Sequence, residues 1–219
     1  MVLDISDFTV DMGERVFLYG PSGSGKSTLL GVISGVLKPT RGQVTVLGCD
    51  LTKMTASQRD AFRSDQLGII FQMFNLLPYL SVVENVALPC RFSANRRRRL
   101  LENAGSIDDE ARRLLTRLGL PDTVFDRRNV TELSVGQQQR VAAARALIGA
   151  PQLIIADEPT SSLDADARGS FIDLLSEECA KSNTSLLFVS HDLSLAERFD
   201  RSIDLSAINA VPVAGEVAS

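Results

Sequence analysis

Val16-Phe17-Leu18-Tyr19 runs straight into Gly20-Pro21-Ser22-Gly23-Ser24-Gly25-Lys26-Ser27-Thr28, and an apolar pattern at helical spacing (Leu29, Leu30, Val32, Ile33) begins directly behind. A short β-branched and aromatic run, a glycine-rich loop and a helix start, in that order, predict a strand–loop–helix unit. The loop spacing is Gly, four residues, Gly, Lys, Ser, which is the pattern of a phosphate-binding loop. Its glycines let the backbone curl until successive N–H groups point inward at phosphate oxygens. The helix behind it adds the partial positive charge of its N-terminus. In that geometry Lys26 faces the terminal phosphates, Ser27 offers its hydroxyl to Mg²⁺, and Thr28 is placed to donate to a more distal phosphate. The helix is expected to stop near Gly35, before Pro39.

Further along, Leu153–Ala156 and Leu186–Val189 are short and wholly apolar, as expected of strands buried on both faces of a parallel sheet. A helix from about Asp166 to Cys179 connects them, giving a βαβ unit and an α/β fold class. The first of these strands ends in Asp157-Glu158. Two acids beside a phosphate site need a counter-charge, and a metal supplies it. Asp157 is expected to hold Mg²⁺, directly or through water, and Glu158 to orient and deprotonate an attacking water.

Between the loop and these acids the chain changes character. Val2–Ile5, Phe8–Val10, Val44–Leu47 and Gly68–Phe71 read as short strands, with Gly13, Gly42 and Gly48 as punctuation. From about Pro78 to Gly119 the sequence is charged and helix-prone, with Pro89 expected to interrupt it. Ile107–Leu118 has apolar residues at helical spacing, and another helix is expected from Gly136 to Ile148, ending at Gly149-Ala150-Pro151. The expected organisation is one domain over residues 1–219, with a largely helical lobe inserted over about 74–150.

Composition narrows the class. A formal charge of −4 makes general nucleic-acid binding a poor expectation, because neutralising phosphates takes a Lys/Arg surplus. Cys49, Cys90 and Cys179 are odd in number, lack metal-ligand spacing, and are expected to be mostly buried thiols in a reducing compartment. No run of 18 apolar residues is present, and the start carries Asp4, Asp7 and Asp11 in place of a basic leader. The expectation is a cytoplasmic protein whose membrane work, if any, needs a partner.

Leu133-Ser134-Val135-Gly136-Gln137 opens the second long helix. Together with the phosphate loop and Asp157-Glu158, this resembles the ABC transporter ATPase family, whose signature is Leu-Ser-Gly-Gly-Gln. Other motifs follow in family order: Gln72 after the Gly68–Phe71 strand, like the Q-loop; Ser162-Leu163-Asp164, like the D-loop; and His191 after Leu186–Ser190, like the switch histidine. The resemblance implies a P-loop (RecA-like) ATPase core with an N-terminal antiparallel β portion and an inserted α-helical subdomain carrying the signature. It implies ATP and Mg²⁺ as ligands, with Gly20 to Thr28 on the phosphates and Ser27, Gln72 and Asp157 toward the metal. It implies Glu158, His191 and Gln72 as catalytic groups, and Ser134, Gly136, Gln137 and Asp164 as groups that close over ATP held by a second copy, head to tail. Ser134 and the Gly136 N–H lie at a helix N-terminus, which is an anion site in its own right.

Two departures stand out. Val135 replaces a signature glycine, with a modest effect expected because Gly136 is kept. Family members carry an adenine-stacking aromatic about 25 positions before the loop, and only 19 residues precede Gly20 here, so the adenine contact is unassigned. Gly68 to Pro78 and Ser81 to Pro89 look like the lipoprotein-release and macrolide-export branch of the family, which pairs with a four-helix membrane permease. The resemblance then implies a peripheral subunit on the cytoplasmic face of the inner membrane. A regulator of cell-wall hydrolysis working through a similar permease, or a non-transport ABC ATPase, are the alternatives. The run Arg96–Arg99, with Arg91 nearby, is expected to be a solvated loop or helix start, with contact to anionic lipid headgroups as its alternative.

Overall fold

A computed structural model describes residues 2–125 and 129–211. In chain order the elements are β1 (Arg15–Tyr19), α1 (Lys26–Ile33), β2 (Thr45–Val46), β3 (Cys49–Asp50), α2 (Ala56–Gln66) and β4 (Leu67–Ile70). These are followed by α3 (Val82–Phe92), α4 (Ala94–Asn103), α5 (Ile107–Arg117), α6 (Val135–Leu147), β5 (Leu153–Asp157), α7 (Ala165–Lys181), β6 (Ser185–Val189), β7 (Arg201–Asp204) and α8 (Leu205–Ile208).

Five strands form one parallel sheet in the order β4-β5-β6-β1-β7. The central strands are the apolar runs of the sequence: Val16, Phe17, Leu18, Ile154, Leu186, Phe188 and Val189 are all 0% exposed. Each such side chain contributes roughly 1.5–3 kcal/mol when fully buried. The sheet separates two cores. One lies against α1 and the β2–β3 hairpin and includes Leu29, Leu30 and Ile33; the other lies against α3, α5, α6 and α7. Because β1, β5 and β6 run parallel, the loops after Tyr19, Asp157 and Val189 emerge on one edge, where ligands of open α/β sheets bind.

The N-terminal antiparallel portion is smaller than expected. Val2–Ile5 and Phe8–Val10 are not strands, and only an Ile5–Asn209 antiparallel bridge forms there. The reason is where the N–H groups go. Within the first segment Asp4 N donates to Asn209 Oδ1 (2.8 Å), and just past the second Asp11 N donates to Glu14 Oε2 (2.8 Å) and Gly13 N to Ser185 Oγ (2.9 Å), so side chains take N–H groups in and beside these segments. Val44–Leu47 shortens to β2, because Leu47 (φ 51°) and Gly48 (φ 77°) make the two-residue hairpin turn into β3.

Pro89 does not break its helix. It lies inside α3, which continues until Ser93, whose N–H donates to the Pro89 carbonyl. Only the N–H that would reach the Asn85 carbonyl is lost. Helices α3, α4, α5 and α6 pack on one another, with α3 against both α5 and α6. Cys90 and Cys179 are buried, whereas Cys49 is only half-buried.

The arginine run is a helix, but it is not a solvated one. Arg96 is 1% exposed and donates to the carbonyls of Leu67 and Ile148, the latter at 3.2 Å. Arg99 donates to the Gly149 (3.1 Å) and Asp65 (2.7 Å) carbonyls. Both therefore tie α4 to the ends of α2 and α6, and burial pushes the Arg96 guanidinium down to about 10. Helical periodicity explains the split: positions 96, 99 and 100 share the inward face, while Arg97 and Arg98 face solvent. Arg96→Ala should lose roughly 3 kcal/mol or more, because carbonyls and volume are both left unfilled. Arg97→Ala should change stability by less than about 0.5 kcal/mol. Denaturant melts of the two variants check this pair.

Candidate nucleotide site

The loop from Gly20 to Gly25 leaves β1 and enters α1. Gly20, Gly23 and Gly25 have φ of 156°, 81° and 100°, and Gly25, at the N-cap of α1, is left-handed with ψ 11°. A side chain at Gly25 would collide with Leu3, its Cβ falling 2.6 Å from Leu3 Cδ2. Lys26 Nζ donates to the Gly20 (2.7 Å) and Pro21 (3.0 Å) carbonyls, so its ammonium hangs across the mouth of the loop. Ser24 Oγ is buried and has no hydrogen-bond partner among the described residues. Pro21, Ser22, Gly23 and Ser27 are exposed, and Thr28 is half-buried.

On the same edge, β5 delivers Asp157 and Glu158. Burial, then the Glu158 charge, pushes the Asp157 carboxyl up, with Lys26 opposing. Glu158 adopts φ 48°, an uncommon conformation for a side chain with a Cβ, and its N–H donates to the Val189 carbonyl (3.0 Å). Such a conformation costs about 1–3 kcal/mol and clusters at functional sites. It turns the carboxylate toward β6, where Glu158 Oε2 lies 2.9 Å from His191 Nδ1. His191 is otherwise open, its side chain 71% exposed. Gln72 is exposed in the loop after β4. Because Ile70 sits beside Ala156 in the sheet, that loop rises next to Asp157.

The signature residues stand elsewhere. Ser134 caps α6 in a capping box: Gln137 N donates to Ser134 Oγ (3.3 Å) and Ser134 N to Gln137 Oε1 (3.0 Å). Each side chain accepts from the other's backbone N–H, and neither bonds the phosphate loop. Val135 is 49% exposed, so its extra bulk meets solvent in the single chain. A Cβ on Gly136 would lie 3.4 Å from Leu163, so the helix tip touches the segment that carries Asp164. Asp164 caps α7 through Ala167 N (2.8 Å).

Four residues that tie this site together were not singled out from sequence. Arg168 donates to the Leu163 carbonyl (2.8 Å) and pairs with Asp192, fixing the loop beside His191. Asn209 joins Asp4 N, the Val2 carbonyl and the Ser24 carbonyl. Asn85, 0% exposed, bonds Leu77, Leu80 and Ser81. Arg145 holds the Phe74 and Asn75 carbonyls. The one sequence signal for Arg145 was a lone charge inside the apolar run Val141–Leu147.

These features suit a nucleoside triphosphate with a divalent cation. The loop has a buried Ser24 hydroxyl without a partner among the described residues and a Lys26 ammonium held by two loop carbonyls that phosphate oxygens can replace. Ser27, Gln72 and Asp157 offer only oxygen donors toward a metal, the set that Mg²⁺ prefers. A cation would also offset the charge that burial penalises at Asp157. One expected result follows. With a raised native pKa, the folded state binds this proton more tightly than the unfolded chain does. That contribution is full at low pH and is lost as pH rises through the native pKa. Asp157→Asn should therefore raise the melting temperature of the nucleotide-free protein near neutral pH, and the gain should shrink toward about pH 4. Thermal melts at the two pH values measure it.

Fold and site together define a P-loop nucleoside triphosphatase of the α/β class. Residues 3–161 match the family model described as ABC transporter, and the chain belongs to that family. It is 42% identical over 211 residues to an uncharacterised ABC transporter ATP-binding protein of Mycobacterium tuberculosis, covering 96% of this chain and 82% of that one. It is 41% identical over 204 residues to the lipoprotein-releasing system ATP-binding protein LolD 2 of Rhodospirillum rubrum, covering 93% and 85%. Among solved structures it is similar to the dimeric ATP-binding cassette MJ0796 in a post-hydrolysis state with ADP and Pi, at TM-score 0.79 and 34% identity over 90% of this chain and 83% of that one. The protein is an ATP-binding, ATP-hydrolysing subunit of ABC type.

Proposed function

We propose that this subunit powers a separate membrane permease of the lipoprotein-releasing kind, from the cytoplasmic face of the membrane, as a head-to-tail pair of copies. The observation that carries the reading is the division of the site. Lys26, Asp157, Glu158 and His191 converge on one edge of the sheet, while Ser134 and Gln137 cap α6 and, among the described residues, bond none of these four. A phosphate grip that its own chain does not use fits a nucleotide held by another chain. A dimeric relative and LolD-named relatives support the same reading.

Within this proposal the residues divide the work. Gly20 to Thr28 cradle the phosphates, and Lys26 exchanges its own loop carbonyls for phosphate oxygens. Glu158 takes the proton of the attacking water, and His191, released from Glu158, steadies the terminal phosphate. Bound Mg²⁺ would supply charge neutralisation on the phosphates, held by Ser27, Asp157 and Gln72. Ser134, Gly136 and Gln137 close on the partner's ATP, with Asp164 at the seam.

No helix among the described residues is long and apolar enough to cross a membrane. A groove of about 410 Å³ lies between α2, β4 and α3 and includes Phe71, Phe92 and Arg145. Phe92 is 75% exposed, and Met73 (81%) and Tyr79 (77%) stand nearby in sequence on the β4–α3 connection. Such an exposed apolar set supports docking of a permease segment there, with the lobe of residues 74–150 carrying its motion. Affinity purification from membranes tests the reading: a four-helix permease should co-purify and stimulate ATP turnover. Recovery of only soluble partners would contradict it.

A further inference from the structure

Arg145 sits in α6 with Ala144 and Ala146 buried on either side, and burial pushes its guanidinium down. Among the described residues it makes no ion pair. Its two terminal nitrogens instead donate to successive backbone carbonyls, Nη2 to Phe74 (2.5 Å) and Nη1 to Asn75 (2.7 Å). Those two residues are both left-handed, with φ 57° and 51°. A left-handed backbone is disfavoured for any residue with a Cβ, and a bulky Phe there is a clear outlier. Two in succession need an external hold. The planar fork of an arginine, matched to both carbonyls at once, provides one.

Position gives the hold its meaning. Gln72 lies between the end of β4 at Ile70 and the clamped pair at Phe74–Asn75. The far side of the connection is pinned by Asn85, which accepts from Leu77 N (2.8 Å) and donates to the Leu77, Leu80 and Ser81 carbonyls. Arg145 is on the same helix that Ser134 caps, and it lines the groove between α2 and α3. A rigid helix thus has the signature at one end and a grip on the Gln72 loop near the other.

We infer that Arg145 is a positioning residue for Gln72: it holds the left-handed turn at Phe74–Asn75 and carries the position of the signature helix to the strand end beside Asp157. This rests on the proposed role of Gln72. A lysine at 145 reaches at most one of the two carbonyls from a point charge. Arg145→Lys is expected to lower kcat for ATP about 10–100-fold, with KM for ATP held within roughly twofold, since the phosphate loop is untouched. Asn75→Gly, which takes positive φ without penalty, should restore most of the lost turnover in the Arg145→Lys background. Asn75→Val, which resists positive φ, should reproduce the kcat loss with α6 intact, and it keeps the inference testable if Arg145→Lys folds poorly.

Gln72→Ala runs alongside in the same steady-state assay of the purified full chain. Wild-type turnover by Gln72→Ala would remove the role of Gln72 and the inference with it. Slow turnover by Gln72→Ala with wild-type rates for Arg145→Lys and Asn75→Val would overturn the inference alone. So would an Arg145→Lys loss that Asn75→Gly leaves unrescued, because the clamp would then not act through this turn.

Discussion

Replacing Glu158 by Gln is expected to lower ATP turnover by about 10²–10⁴-fold while ATP still binds. The substitution isolates one property. Gln keeps the shape and length of Glu158 and can still meet His191 Nδ1, which lies 2.9 Å from the carboxylate. It cannot accept the proton of an attacking water. The backbone at φ 48° and the N–H bond to Val189 survive, because neither depends on the side-chain charge. Single-turnover hydrolysis paired with equilibrium binding of labelled ATP separates the two effects. Equal losses in binding and turnover would move Glu158 from chemistry to site architecture.

Lys26→Ala should act at the earlier step, weakening ATP binding by about 10²-fold, which is the scale of losing one or two charge-assisted bonds to phosphate. A further consequence follows from Asp157. Lys26 is the positive charge that opposes the rise of that carboxyl. Without it the Asp157 proton is held to higher pH, so the residual Mg²⁺-dependent activity should require more alkaline conditions than in the wild type. A pH series of nucleotide affinity and of ATP turnover measures both, and wild-type affinity in Lys26→Ala would refute the loop assignment.

How much of this was legible in the sequence varies with the physics involved. The strand–loop–helix at Val16 to Ile33 was readable because its signals are local: a short apolar run, glycine spacing, a helix start. The same holds for β5, β6 and α7, whose wholly apolar runs or helical periods leave little choice. The N-terminal segments misled because Val, Ile and Phe favour strands, yet a ladder needs a neighbouring strand, and here Asp4 N bonds the Asn209 side chain and only the Ile5–Asn209 bridge forms. The arginine run misled for a related reason. Charge predicts solvent, but Arg96 found four-residue neighbours on the buried face and carbonyls left open at helix ends. Arg145 and Arg168 escaped notice because Arg145 bonds backbone carbonyls 70 and 71 residues away, which have no sequence signature, and Arg168 joins a nearby carbonyl to Asp192, 24 residues on, which only the fold brings beside it.

For the site, residue identity was readable and mutual geometry was not. Nothing in the sequence placed Glu158 against His191, because that contact depends on β5 and β6 being neighbours and on one left-handed residue at the strand end. Likewise, the capping box explains why Ser134 and Gln137 occur three apart, but a local cap does not reveal a second copy.

The sharpest test of a nucleotide shared between two copies is the solution mass of the Glu158→Gln protein by size-exclusion chromatography with light scattering, with and without MgATP. The predicted result is one chain without nucleotide, two chains with MgATP, and a return to one chain when Ser134→Arg is added, although that double variant still binds ATP. A mass that stays at one chain with MgATP bound, or a pair indifferent to Ser134→Arg, would contradict it.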